Sequence, residues 1–127
     1  MEIIHKFYSC SHCGNIAVLV VDKGAPLVCC GEKMSELIAN TADASIEKHV
    51  PDVTSSGNMI TVQVGSAPHP TEEAHHITFV YVATENGGQR KRIKIGAEPK
   101  CSFSFTDDKP VAVYAHCNLH GLWKTEV

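Results

Sequence analysis

The feature that most constrains the fold is a short N-terminal segment that carries four of the six cysteines in the chain. Two of them begin and end the sequence Cys10-Ser11-His12-Cys13, and the other two are the adjacent residues Cys29 and Cys30. A segment of about 35 residues buries too little apolar surface to fold alone, so a metal staple is expected. Four thiolates in a tetrahedron suit zinc or iron, and the residues alone leave both metals open.

Charge and hydropathy narrow the class of protein. The 127 residues are 43% hydrophobic and carry a formal net charge of -3, which does not suit a protein that binds nucleic acid. No run approaches the roughly 18 apolar residues of a membrane span. The N-terminus lacks a charged region followed by a long apolar stretch, so we expect a cytoplasmic protein. In that reducing compartment, cysteines are more often metal ligands than disulfide partners.

One local run is basic, Arg90-Lys91-Arg92 with Lys94 close behind it. The favoured interpretation is that these side chains form the solvated face of a strand. The functional alternative is a docking patch for an acidic partner, because clustered charges of one sign attract a surface of the opposite sign.

The pattern after Pro51 is that of short strands. Met59–Val64 alternates, residues 76–84 are rich in β-branched and aromatic side chains, and Asn86-Gly87-Gly88 signals a turn. Further strands are predicted over residues 90–95, 101–105 and 111–116. The one helical signal is a weak turn at residues 34–38. Several short strands without a long helix predict a mainly β chain with an antiparallel sandwich or barrel.

A second set of candidate ligands is spread along the rest of the chain. The segments are Glu47-Lys48-His49-Val50-Pro51, His69-Pro70, His75, and Cys117-Asn118-Leu119-His120. A cysteine and a histidine three residues apart on a loop can chelate one ion, and histidines from other loops can complete the site. Zinc is usually satisfied by four ligands, whereas five protein ligands favour an ion with one open position. Two alternatives stay open: a four-ligand zinc site, and scattered surface histidines beside a buried Cys117.

Taken together and in this order, these motifs resemble the desulfoferrodoxin family, the two-iron class of superoxide reductase. The resemblance covers nearly the whole chain. It implies a mainly β fold with a small, metal-stapled, desulforedoxin-like domain at residues 1–36. A connector at residues 37–48 would lead to an immunoglobulin-like antiparallel β-sandwich at residues 49–127.

The resemblance also implies two iron ions per chain. The first would be an Fe(Cys)4 centre with the ligands Cys10, Cys13, Cys29 and Cys30. The second would be an Fe(His)4Cys centre with Cys117 as axial ligand and four equatorial histidines, His49, His69, His75 and His120. The spacing typical of the family selects His75 rather than the adjacent His76.

Roles for Glu47 and Lys48 follow from the same resemblance. Glu47 would occupy the open position when the iron is ferric, and Lys48 would attract superoxide and organise a proton-donating water. The implied activity is reduction of superoxide to hydrogen peroxide without release of O₂, in a homodimer re-reduced by a donor such as rubredoxin. Two other classes compete with it: an iron electron carrier without catalysis, and a zinc-stapled binding module.

Two residues close to these motifs are not expected to be ligands. Cys101 belongs to neither group, and we interpret it as a small buried hydrophobe on a strand. His116 should face away from its neighbour Cys117, because successive side chains of a strand point to opposite sides.

Overall fold

The computed structural model describes residues 5–42, 44, 46–65 and 69–127, and of Glu47 it describes the backbone alone. The chain divides into two compact units, of which the first ends at Ile38 and the second begins at Ala39. Among the described residues, no helix has the length and apolar character needed to cross a bilayer. The domain limits predicted at residues 36 and 48 stay predictions.

The first unit is built from five very short strands, β1 (Phe7–Ser9), β2 (Ile16–Val18), β3 (Val28–Cys29), β4 (Glu32–Lys33) and β5 (Ser35–Leu37). They form one sheet in the order β2-β1-β5 and one hairpin, β3-β4. The helical turn predicted at residues 34–38 is wrong. Residues Ser35–Leu37 pair antiparallel with β1 instead, because the free edge of that short strand offers backbone hydrogen bonds that a single helical turn cannot match.

Within its described residues, the second unit contains one helical turn and seven strands. The turn is α1 (Ile46–His49), and the strands are β6 (Pro51–Ser56), β7 (Met59–Val64), β8 (Ile77–Thr84), β9 (Gly87–Arg92), β10 (Lys100–Ser104), β11 (Pro110–Cys117) and β12 (Gly121–Glu126). They form a three-stranded sheet, β10-β7-β6, and a four-stranded sheet, β12-β11-β8-β9. All neighbouring strands are antiparallel.

The core of the second unit lies between the two sheets. Strand β7 shows the alternation that builds it, with Ile60, Val62 and Val64 buried and the residues between them less so. Across from them, β8 contributes Val80 and Val82, which are fully buried. Two antiparallel sheets that share one apolar core are the architecture expected of a β-sandwich, so the predicted fold class is confirmed.

Strands β9 and β12 depart most from the pattern read in the sequence. Strand β9 begins at Gly87, inside the predicted turn, and the turn itself lies at Glu85 and Asn86. Its register pairs Gly87 with Thr84 at the turn. Strand β12 follows directly on the loop that carries His120, and no strand was predicted there.

The segment before α1 belongs to the second unit. Asn40, with φ at 63°, donates its backbone N–H to the carbonyl of Leu122 at 3.0 Å. Its side chain accepts a hydrogen bond from the Lys124 N–H at 2.9 Å and donates to the Lys124 carbonyl at 3.2 Å. These three bonds hold the chain that leads to α1 against strand β12.

Candidate metal centres

The four N-terminal cysteines lie together in the first unit. Their sulfur atoms all lie within 4.8 Å of one another, and none is in a disulfide. The Sγ atoms of Cys13 and Cys29 are 3.6 Å apart, and Asn15 Nδ2 lies 3.6 Å from Cys29 Sγ. Four thiols at this separation can hold one tetrahedral ion.

The turn of hairpin β3-β4 explains how two adjacent cysteines reach one ion. Val28 pairs with Lys33 and Cys29 pairs with Glu32, which leaves Cys30 and Gly31 as the two-residue loop. Both loop residues are left-handed, with φ of 53° and 73°. A two-residue hairpin loop of this kind is a type I′ turn. With this turn, the sulfur atoms of Cys29 and Cys30 lie within 4.8 Å of each other, although the residues are adjacent.

The electrostatics of this cluster favour a cation. Backbone N–H groups of Cys13 and His12 lower the pKa of Cys10 to about 6. The neighbouring thiols of Cys13 and Cys10 raise the pKa of Cys30 to about 12. One thiolate is therefore stabilised by the backbone, whereas a full set of four thiolates would repel one another without a metal ion between them.

The second cluster is assembled from three separate segments of the second unit. His49 ends α1, His69 and His75 lie between β7 and β8, Cys117 ends β11, and His120 lies in the turn before β12. Ligand atoms of His49, His69, His75 and Cys117 all lie within 4.8 Å of one another. His120 Nδ1 completes the group, 3.1 Å from His49 Nε2 and 3.8 Å from Cys117 Sγ.

The four imidazole rings form a closed cycle. Going round it from His49 through His69, His75 and His120, neighbouring centroids are 4.6, 4.7, 5.0 and 4.9 Å apart. Across the cycle, the centroids of His49 and His75 are 6.2 Å apart. Nearly equal sides with a longer diagonal describe a square of rings around one centre. Such a square suits four equatorial ligands, and it leaves Cys117 to approach from one side.

Burial lowers the pKa of two of these histidines, His69 and His75. His69 is 3% exposed, and desolvation lowers its pKa to about 4. Its Nδ1 lies 2.7 Å from the carbonyl of Pro70 and donates to it, which leaves Nε2 as the lone-pair nitrogen. The Nε2 atoms of His69 and His75 are buried and have no hydrogen-bond partner among the described residues. Such atoms are costly unless a cation binds them, so the residues fit a metal ion.

The thiol of Cys117 is fully buried. Burial raises its pKa, and the backbone N–H groups of Leu119 and His120 oppose that shift. Without a metal ion, burial favours the neutral thiol. A bound metal ion, together with the two amide donors, would favour the thiolate.

The structure separates the adjacent residues His75 and His76. His75 belongs to the cycle of rings, whereas His76 Nδ1 lies 3.1 Å and 3.0 Å from the carbonyl oxygens of Glu72 and Glu73. His76 therefore closes the turn that precedes it and directs its ring away from the cluster.

Asn118 holds two ligand-bearing segments together, although the sequence pattern gave it no role. Its Oδ1 accepts from the His76 N–H at 2.8 Å, and its own N–H donates to the His76 carbonyl at 3.1 Å. Its Nδ2 donates to the Ala74 carbonyl at 3.0 Å. Because Ala74 and His76 flank His75, and Asn118 follows Cys117, these bonds fix one ligand relative to another.

Trp123 was also not assigned from the sequence. Its ring stacks on His49 with centroids 5.0 Å apart and planes at 26°. Its Nε1 donates to the His120 carbonyl at 3.1 Å. An aromatic residue three positions after the histidine of a Cys-x-x-His motif was the available signal, since a large ring there can support both histidines.

The remaining predicted residues lie as follows. Lys48 is exposed on α1, next to the buried His49, while the side chain of Glu47 lies outside the described residues. His116 stacks on Phe79, with centroids 5.5 Å apart and planes at 9°, and it does not belong to the cluster of ligand atoms around Cys117.

Cys101 also lies away from both clusters. It packs against the sandwich core, and burial raises its pKa to about 11. It is therefore a neutral thiol at physiological pH, in keeping with the interpretation of a small, largely apolar core residue.

The fold and the two clusters define a protein with two separate metal centres, one in a small cysteine unit and one in a β-sandwich. Residues 4–37 match the family described as desulfoferrodoxin, N-terminal domain, and residues 41–126 match the family described as desulfoferrodoxin. The chain belongs to the desulfoferrodoxin family, as its motifs indicated. The two clusters are consistent with two iron ions per chain.

Two relatives and one solved structure show the extent of the likeness. A desulfoferrodoxin homolog of Archaeoglobus fulgidus is 41% identical over 125 residues, which cover 98% of this chain and 99% of the relative. A desulfoferrodoxin of Nitratidesulfovibrio vulgaris is 41% identical over 122 residues, 96% of each chain. The crystal structure of the superoxide reductase from Treponema pallidum superposes with a TM-score of 0.82 at 30% identity, and it covers 98% of this chain and 100% of that one.

Proposed function

We propose that this chain is a superoxide reductase, an oxidoreductase that converts superoxide to hydrogen peroxide. The observation that carries the proposal is the square of four imidazoles, two of them buried, with the Cys117 thiol at 3.8 Å from His120. Five donors around one centre leave a coordination position open for a small anion. The likeness to a solved superoxide reductase over 98% of the chain supports the same assignment.

The reaction is O₂⁻ + e⁻ + 2H⁺ → H₂O₂, and it releases no O₂. Iron bound by His49, His69, His75, His120 and Cys117 would supply the electron and an electrophilic open position. The chain holds the donors in place: the Pro70 carbonyl orients the His69 ring, and Asn118 ties the His75 segment to the Cys117 loop.

The buried thiol of Cys117 has a specific task in this proposal. As a thiolate it is the one anionic donor among four neutral imidazoles, so it raises the electron density of the centre. The amides of Leu119 and His120 oppose the effect of burial on its pKa. They would therefore moderate how strongly the sulfur donates.

Lys48 would attract the substrate. It is exposed beside His49, and the pKa of His75 is lowered chiefly by burial and, to a smaller extent, by the charge of Lys48. A cation at the mouth of a site raises the encounter rate of a small anion and can hold a water that donates protons. Glu47, from the preceding position of α1, would occupy the open position after oxidation.

The first centre would bind a second iron through the four cysteines of the first unit, with an external donor such as rubredoxin returning electrons. A cytoplasmic homodimer is part of the same proposal. The first unit supports dimerisation because several of its apolar side chains are exposed, by 97%, 66% and 64% at Val20, Val21 and Val28. Exposed apolar residues on a unit with so small a core mark a surface that a second copy can cover.

A pulse of superoxide on the reduced, iron-loaded protein tests the activity. We expect about one peroxide per superoxide consumed and no O₂, as the balanced reaction requires. Half as much peroxide with O₂ evolution would identify dismutation and overturn the proposal. If the protein is an electron carrier without catalysis, superoxide will decay at the rate measured in buffer alone. If the protein contains only zinc, the alternative of a zinc-stapled binding module holds.

A further inference from the structure

A shallow hollow of about 520 Å³ lies on the second unit, beside the second centre and outside it. It is lined by His76, Thr78, Arg92, Ile93, Lys94 and Ile95. Two of these residues belong to the basic run of the sequence, for which the proposed activity has no use. The hollow combines cationic side chains with exposed apolar surface at Ile95, which is 51% exposed. That combination is typical of the binding surface of a protein partner.

The outer face of β9 carries part of the basic run. Arg90 pairs with Tyr81 and Arg92 pairs with Phe79, so each arginine projects to the same side of the sheet as its aromatic partner. Both arginines are exposed. They therefore extend the charge of the hollow along the strand.

The side chain of Lys91 lies on the opposite side of the sheet. Its Nζ donates to the carbonyl of Ser102, and it lies 5.2 Å from the centroid of the Phe103 ring, on the side of the sheet that faces β10. All four residues of the run are exposed, but Lys91 is hydrogen-bonded to β10, which leaves Arg90, Arg92 and Lys94. Within the described part of the chain, no carboxylate forms an ion pair with those three residues. Their charge is available to a partner.

Short contacts connect the hollow to the second centre. Thr78 lines the hollow, and its Oγ1 lies 2.7 Å from His116 Nδ1. His116 is bonded directly to Cys117. His76, on the same wall, follows His75 and is hydrogen-bonded to Asn118 through its backbone in both directions. An electron that arrives at this surface is therefore within a few bonded or hydrogen-bonded groups of two of the proposed ligands.

We propose that the hollow, with Arg90 at its edge, is the docking site of an acidic protein that donates electrons to the second centre. The inference rests on the proposed function, and it adds where the donor binds and which charge it carries. The chain as a whole has a formal charge of -3, so an acidic donor meets general repulsion and is attracted locally at this patch. Three cations are too few for a nucleic acid, and superoxide needs no surface of this size.

The test compares two double variants of the iron-loaded protein with equal changes in charge. Arg92→Gln/Lys94→Gln, the patch variant, removes the two cations that line the hollow. Lys100→Gln/Lys109→Gln is the matched control, because both lysines are exposed and lie outside the hollow. The probe is a reduced rubredoxin with a low isoelectric point, mixed by stopped flow with the oxidised protein at low ionic strength. The absorbance of the second centre reports its reduction.

We expect the second-order rate with rubredoxin to fall about tenfold or more in the patch variant and less than about twofold in the control. The rate of the patch variant should also depend less on salt. Equal rates in the two variants would overturn the docking site. Superoxide consumption by the pre-reduced proteins is measured in parallel. It should be the same in all three, and its absence from the wild type would refute the proposed function independently of the docking site.

Discussion

The two cysteine-containing centres are built in opposite ways. The first draws its four ligands from two short segments of a unit with few buried apolar residues, and two of those ligands, Cys13 and Cys30, are exposed. The second draws its ligands from three segments that a packed β-sandwich brings together, and His49, His69 and Cys117 are buried there. A metal ion would create the first fold, whereas the second fold prepares its metal site in advance.

Metal removal should produce the largest difference between the two units. We expect chelation to unfold the first unit and leave the sandwich folded, because a structural metal contributes about 10 kcal/mol to a unit of this kind. Hydrogen exchange resolved by segment measures both units in one sample. Protection retained in β1 and β5 after complete metal removal would contradict the difference between the units.

Cys117→Ser should have the next largest effect. The variant loses the thiolate but keeps the packing, so we expect superoxide reduction to fall by more than about a hundredfold while the sandwich stays folded. Cys101→Ser is the matched control, because Cys101 is partly buried in the same unit and belongs to neither cluster. The second-order rate with superoxide is the measurement. Equal rates in the two variants would remove Cys117 from the site.

Asn118→Ala tests whether the second site is held in place by more than its ligands. It removes two side-chain hydrogen bonds to the segment that carries His75, and we expect iron affinity at the second site to fall by about 10- to 100-fold. Competition with a chelator measures the affinity, and the visible spectrum shows whether the ligand set changes. The first site is the internal control, and its affinity should not move.

Lys48→Ala should affect encounter and leave the metal sites intact. We expect the rate with superoxide to drop by about tenfold at low ionic strength, and the dependence of that rate on salt to weaken. Lys109→Ala removes an exposed lysine from another part of the second unit and should change the rate little. If both variants react with superoxide at the wild-type rate, Lys48 does not attract the substrate.

The smallest effect concerns the metal-free second unit in acid. Burial lowers the pKa of His116 from 6.5 to about 4, so the folded state resists the protonation that the unfolded state accepts. The contribution of His116 to stability is present above about pH 6.5 and is lost as the pH falls towards 4. Denaturant unfolding at pH 7 and pH 5 should show this loss, and His116→Gln should reduce it. An unchanged pH dependence in that variant would assign the loss to other groups.

Much of the second unit could be predicted because its strands carry the alternation that burial requires. The bounds of β7 agree with the sequence pattern, and β8 begins one residue later than predicted. Strand β9 has no such alternation, since five of its six residues are exposed and its position depends on pairing with β8. Strand β5 was mistaken for a helical turn because three residues that pair with a distant strand leave no local signal.

The sequence predicted which residues belong to the candidate sites. It did not predict how their side chains are arranged in space. Spacing identified the motifs that contain His120 and Cys117, but the order of the imidazole cycle depends on how the loops meet. The residues alone could not choose between His75 and His76 either, and the prediction of His75 came from the resemblance to the family. The structure separates them through hydrogen bonds from His76 to two carbonyls and to Asn118, which are tertiary contacts without a sequence signature.

Metal identity and stoichiometry, measured on protein purified without added metal, test the central claim most directly. A chain with one fold-assembled His/Cys site and one four-cysteine site should retain close to two iron ions. A thiolate charge-transfer band should appear on oxidation and be absent from Cys117→Ser. Protein that contains zinc alone, at either one or two ions per chain, would contradict the assignment of the second centre and the activity built on it.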